Sequence, residues 1–145
     1  MPHLVVYYTA NLDAEPQSRL SELCRALADC MVALRHDDVS PVFPTGGVRV
    51  LAYPAPHFAV SDGTRPDDAF VYMNLRMAQG RSAQTHAQVG HALRAIVQTH
   101  FAALFATRTL GVTLQIDEGQ EVFDAKQNNI HPLYVQAQTN AQLNP

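Results

Sequence analysis

The chain has 145 residues, 47% of them hydrophobic and 16% charged, with a formal net charge of −3. That length fits one domain with a core of its own, and the apolar content excludes a wholly disordered chain. The slightly acidic balance argues against nucleic-acid binding, which calls for a basic stripe, and no run nears the roughly 18–20 apolar residues of a membrane helix. Met1-Pro2-His3 has no basic region and Leu4–Tyr8 is too short for the apolar part of a signal peptide. The expectation is a cytoplasmic, single-domain protein with neither a nucleic-acid nor a membrane partner.

Residues 3–8 form a short apolar, β-branched and aromatic run that predicts a buried strand. Asn11 to Gln17 carries turn residues, and from Ser18 onward Leu20, Leu23, Cys24, Leu27, Met31 and Leu34 recur at helical spacing. That helix is expected to end near Arg35-His36, because Pro41, Pro44, Gly46 and Gly47 break the helical pattern beyond it. Val48–Tyr53 is a second strand, which Pro54 and Pro56 either end or confine to a sheet edge. After a polar loop around Asp62-Gly63, Ala69–Met77 alternates with period two, so that Phe70, Tyr72, Asn74 and Arg76 face away from Val71, Met73 and Leu75. Ser82 is placed to cap a long helix to about Thr107, with Val89, Leu93, Ile96, Val97, Phe101, Leu104 and Phe105 on its apolar side. Leu110, Val112, Leu114 and Ile116 alternate in a last strand.

The order is therefore β-α-β twice, each crossover right-handed with its two strands parallel. The predicted class is α+β: a four-stranded sheet with both helices on one face. The other face is too apolar to stay solvated, which predicts a homo-oligomer. The domain is expected over 1–134. The tail, 135–145, is rich in Gln, Asn and Ala, and is expected to be mobile or draped over a neighbour. Cys24 and Cys30 stand six apart on one helix, about 9 Å of rise, too far to bridge; both read as small buried hydrophobes.

Among the seven histidines, His86, His91 and His100 share a helix at spacings of five and nine, whereas two ligands on one helix face want three or four. No His-Glu-x-x-His pair, Gly-x-Ser-x-Gly elbow or P-loop occurs, and Thr45-Gly46-Gly47 reads as a turn. No metal site and no cofactor site is predicted. Pro2 is more informative. Freed of Met1, its nitrogen is a secondary amine. An α-amino group titrates near about pH 8, and burial or a nearby arginine lowers that value, so the neutral amine can serve as a general base. It leads straight into a buried strand. Arg49 opens a strand after Gly46-Gly47-Val48, and Arg81 lies between a strand and a helix N-terminus. Both stand at element ends, where sites collect, and arginine suits bidentate carboxylate recognition. One base and two anion clamps make a coherent site.

These residues carry a resemblance. The chain resembles the 5-carboxymethyl-2-hydroxymuconate isomerases of the tautomerase superfamily, which includes 4-oxalocrotonate tautomerase and macrophage migration inhibitory factor. The matching stretches are Met1-Pro2-His3, Phe43-Pro44-Thr45-Gly46-Gly47-Val48-Arg49, Ala69-Phe70-Val71-Tyr72-Met73 and Gly80-Arg81-Ser82. Thr99-His100-Phe101-Ala102-Ala103-Leu104 and Lys126-Gln127-Asn128-Asn129-Ile130-His131 complete it, over most of residues 2–134. The resemblance implies a trimer with active sites near subunit boundaries. It implies Pro2 as the proton-shuttling base, and Arg49 and Arg81 as the groups that bind and polarise a dicarboxylate enol. The implied reaction is cofactor-independent ketonisation of a 2-hydroxymuconate in homoprotocatechuate degradation. Two alternatives stand beside it: another tautomerase activity on a smaller enol, and a non-catalytic trimeric binding protein.

Overall fold

The computed structural model describes residues 2–143, with side chains through residue 137. The elements are β1 (His3–Thr9), α1 (Leu20–Ala33), β2 (Arg49–Ala55), β3 (Ala69–Ala78), α2 (Ala83–Thr107), β4 (Leu110–Gly119) and α3 (Ile130–Leu143), with short 3-10 turns at Ala10–Leu12 and Thr45–Gly47. The sheet order is β2-β1-β3-β4. β1 runs parallel to β2, β3 runs parallel to β4, and β1 and β3 are antiparallel. Two β-α-β units thus join edge to edge through their first strands. Pro54 lies within β2, and β2 is an edge strand, where a missing N–H costs no ladder bond.

One face of the sheet carries the core. Leu4, Val6 and Tyr8 of β1 and Ala69, Val71, Met73, Leu75 and Met77 of β3 are buried there, each set at the period of two that the pleat imposes. Leu23, Leu27 and Met31 of α1 and Val89, Leu93, Val97, Phe101 and Leu104 of α2 pack onto them. The Ser82 hydroxyl caps α2, accepting from the Thr85 N–H at 3.1 Å. Phe105 departs from the predicted stripe: it is exposed and flanks a groove with Val112, Leu114 and Ile116 of the edge strand β4. Its neighbour Leu104 is fully buried in the core, so Phe105 lies on the flank of the stripe rather than within it.

Three further differences have local causes. Helix α1 stops at Ala33, because Leu34 turns extended and the Leu34 carbonyl accepts from the Val42 N–H at 3.1 Å. Cys24 and Cys30 are half-buried rather than buried, on the flanks of the α1 stripe; burial still raises both thiol pKa values. Helix α3 takes up a segment for which the sequence pattern predicts no element, and it spans the 134/135 junction. Its start has a signal of its own: the Asn128 Oδ1 accepts from the Ile130 N–H at 2.8 Å, and Pro132 sits in the first turn, where no helical hydrogen bond needs its nitrogen. The turn Thr45–Gly47 receives α3 so closely that a Cβ on Gly46 would lie 2.6 Å from the His131 Cα.

The opposite face bears no helix. Tyr7, Leu51, Tyr53 and Phe70 are exposed on it, and the Tyr7 and Tyr53 rings stand 5.9 Å apart.

Candidate active site at one end of the sheet

Strand directions decide what meets at the sheet's end. β1 and β2 both start there, and the antiparallel β3 finishes there. The end therefore gathers Pro2 just before β1, Arg49 at the head of β2, and Arg81 three residues beyond the last residue of β3. The register pairs His3 with Arg49 on one side and with Arg76 on the other. Carried back one residue, it sets Pro2 between Val48 and Met77. Met77 belongs to the core and Val48 packs against it, which is why Pro2 is buried rather than waving in solvent. While Met1 is attached, the Pro2 nitrogen is an amide and carries no proton chemistry.

The two arginines are half-buried and held by backbone carbonyls. The Arg49 Nη1 donates to the Gly46 carbonyl at 3.0 Å and to the Val48 carbonyl at 2.8 Å. The Arg81 guanidinium donates to the Ala78 carbonyl at 2.9 Å and to the Val42 carbonyl at 3.4 Å, and lies 5.3 Å over the Phe43 ring. Arg19, Arg25, Arg65 and Arg108 are salt-bridged to carboxylates, whereas Arg49 and Arg81 have no carboxylate partner among the described residues. Such cations are positioned yet uncompensated, and remain able to take an anion.

Two cavities open at this end. One, of about 750 Å³, is lined by Arg49 together with Cys24 and Ala28 of α1, Thr45, Gly46 and Val48 of the turn, and Ile130 and Tyr134 of α3. The other, of about 320 Å³, is lined by His3, Arg76, Met77 and residues of the 121–128 loop. Neither lining holds Pro2, Arg49 and Arg81 together; the strand order brings the three to one end without closing one pocket around them within a single chain. Among the described residues, no three His, Cys, Asp or Glu side chains are grouped to hold a metal ion.

His3 was missing from the predicted site. Its pKa is lowered, first by burial and then by neighbouring positive charge, Arg49 included. Arg76 was missing too. The alternation of β3 told which face Arg76 takes, but only the strand order shows that its neighbour is the residue next to Pro2.

A family model described as 5-carboxymethyl-2-hydroxymuconate isomerase matches residues 2–134. The chain belongs to this family. Its chemistry is isomerisation. A 5-carboxymethyl-2-hydroxymuconate Delta-isomerase of Escherichia coli is 31% identical over 134 residues, covering 92% of this chain and 99% of that one. A solved 5-carboxymethyl-2-hydroxymuconate delta-isomerase superposes with TM-score 0.86 at 44% identity, over 92% of this chain and 93% of its own. The corresponding isomerase of Deinococcus radiodurans R1 gives 0.79 at 40% identity, again over 92% and 93%. A fused 4-OT symmetric trimer, 19% identical over 92% of this chain and 98% of its own with TM-score 0.53, shares the fold alone, which is the tautomerase fold.

Proposed function

We propose that the chain is a cofactor-independent 5-carboxymethyl-2-hydroxymuconate isomerase in which Pro2, freed of Met1, carries the proton. The observation behind this is the buried Pro2 at the head of a central strand, flanked by strand ends bearing Arg49 and Arg81, neither with a carboxylate partner among the described residues. The substrate class is a 2-hydroxy-2,4-dienedioate. Its enol O–H bond breaks toward the Pro2 nitrogen, and the freed electron pair becomes the C2=O bond. The C2=C3 electrons then move to C3=C4, and the C4=C5 pair takes the proton back from the prolinium at C5. One proton leaves oxygen and one arrives at carbon, so a single amine closes the cycle. Arg49 and Arg81 hold the carboxylate and the oxo oxygen, and stabilise the dienolate charge as it develops. A neutral amine near pH 7 is the matched base for such a transfer.

The reading includes a homotrimer. Its support is the helix-free sheet face with exposed Tyr7, Leu51, Tyr53 and Phe70, a surface suited to sister subunits, and the incomplete enclosure of the site within one chain. It also places the enzyme in the cytoplasm, in the catabolism of aromatic ring-cleavage products. The described residues contain no helix long and apolar enough to cross a membrane. Pro2→Ala tests the base directly: kcat/KM for enol ketonisation, followed by loss of the diene absorbance, should fall by about 10²–10⁴. Unchanged turnover refutes the assignment. Sedimentation equilibrium should return three times the chain mass.

A further inference from the structure

We propose that helix α3 is a positioning element for Arg49: its first turn, seated on Gly46, keeps in place the carbonyl that fixes the guanidinium. This rests on the substrate-binding role given to Arg49 above. Gly46 is where the helix and the arginine meet. It is buried, and its backbone lies outside the left-handed region, so no turn conformation calls for glycine there. Space does. A Cβ would lie 2.6 Å from the His131 Cα, 3.0 Å from its Nδ1 and 3.3 Å from its Cβ. The backbone of α3 therefore rests on the backbone of the turn, an approach that only glycine permits. The carbonyl of this same Gly46 accepts from the Arg49 Nη1 at 3.0 Å, and the Val48 carbonyl accepts from that nitrogen at 2.8 Å.

One nitrogen of the guanidinium is thus committed to the turn. Its Nε and Nη2 make no hydrogen bond among the described residues, which leaves the side-on edge of the fork for a carboxylate. A carbonyl screened from water holds its donor firmly. With α3 lifted, water competes for the Gly46 carbonyl and the long arginine side chain loses its fixed aim. The helix also walls the space that Arg49 faces: Ile130 and Tyr134 line the same cavity of about 750 Å³. The one acid in that lining, Asp29, is paired with Arg25 at 2.7 Å. From its other side the first turn of α3 is pinned by the Asn128 Oδ1, which accepts from the Ile130 N–H at 2.8 Å and the His131 N–H at 3.4 Å. Asn128 thereby ties down the residue that covers Gly46.

The test is a double-mutant cycle on kcat/KM for the dicarboxylate enol. Gly46→Ala lifts the helix from the turn side, and Asn128→Ala loosens it from its own start without touching the turn. Each should lower kcat/KM, by about tenfold and about threefold respectively. Asn128→Ser, which restores an accepting oxygen, should recover most of the loss. Beside Arg49→Gln, both substitutions should cost less than about twofold, because the group they act through is gone. A merely destabilised chain would show the same loss in either background. Full activity in Asn128→Ala, equal loss in Asn128→Ser, or undiminished losses beside Arg49→Gln overturns the proposal. Arg49→Gln alone separates the two claims: a fall of roughly ten- to a hundredfold upholds the role of Arg49 whatever α3 does, and full activity removes that role and the proposal with it.

Discussion

Replacing Gly46 with alanine should detach α3 from the site. The backbone at Gly46 is not in the left-handed region, so alanine meets no conformational penalty there. The cost is steric: the new Cβ would stand 2.6 Å from the His131 Cα and 3.0 Å from its Nδ1. The turn cannot easily give way. Its Gly47 N–H donates to the Pro44 carbonyl at 2.8 Å, its Val48 N–H donates to the Thr45 carbonyl at 3.3 Å, and its own Gly46 carbonyl anchors Arg49. Helix α3 meets the rest of the chain chiefly through this turn, so the cheaper relief is for the helix to lift. Overpacking of this kind costs about 1–3 kcal/mol, which would speed amide exchange in α3 by roughly 5- to 150-fold. Hydrogen exchange read by mass spectrometry over 130–143 measures it, with β1 and β3 as internal controls whose protection should hold. Equal protection of α3 in both proteins would refute the packing argument.

Other outcomes rest on single contacts. The Tyr8 hydroxyl donates to the Asp13 Oδ1 at 2.8 Å, and its pKa is pushed up to about 12 by burial first, then by Asp13 and Cys24. The unfolded chain loses that proton first, so the stabilisation is complete below about pH 10 and is lost as the pH climbs through about 12. Urea unfolding across that window should show a decline that Tyr8→Phe lacks; parallel curves would refute it. Arg81→Lys keeps the charge but loses the fork over Ala78, Val42 and Phe43, so kcat/KM should fall at least about tenfold. Full activity would mean that a point charge suffices.

Much of the fold was legible because its signals are local. Period two in Ala69–Met77, the stripe from Leu23 to Met31 and the Ser82 cap each reveal themselves within a few residues. With two β-α-β units and the handedness rule, parallel pairing inside each unit was deducible. Pairing between the units was not: that β1 and β3 meet at the centre, antiparallel, is a long-range outcome. It alone makes Arg76 and His3 neighbours. Pro2, Arg49 and Arg81 were visible as residues at element ends, and their arrival at one end of the sheet comes from strand direction. Helix α3 escaped notice because its cap, Asn128, lies in a polar run and its residues show weak amphipathic pattern.

The central claim is that the Pro2 nitrogen, as a free secondary amine, is the base. The measurement closest to it compares two preparations that differ only in Met1, each verified by intact mass: one processed to begin at Pro2, the other retaining Met1. The processed protein should ketonise the enol, and the Met1-bearing protein, whose Pro2 nitrogen is an amide, should be slower by about 10²–10⁴. Equal kcat/KM in the two preparations would contradict the account.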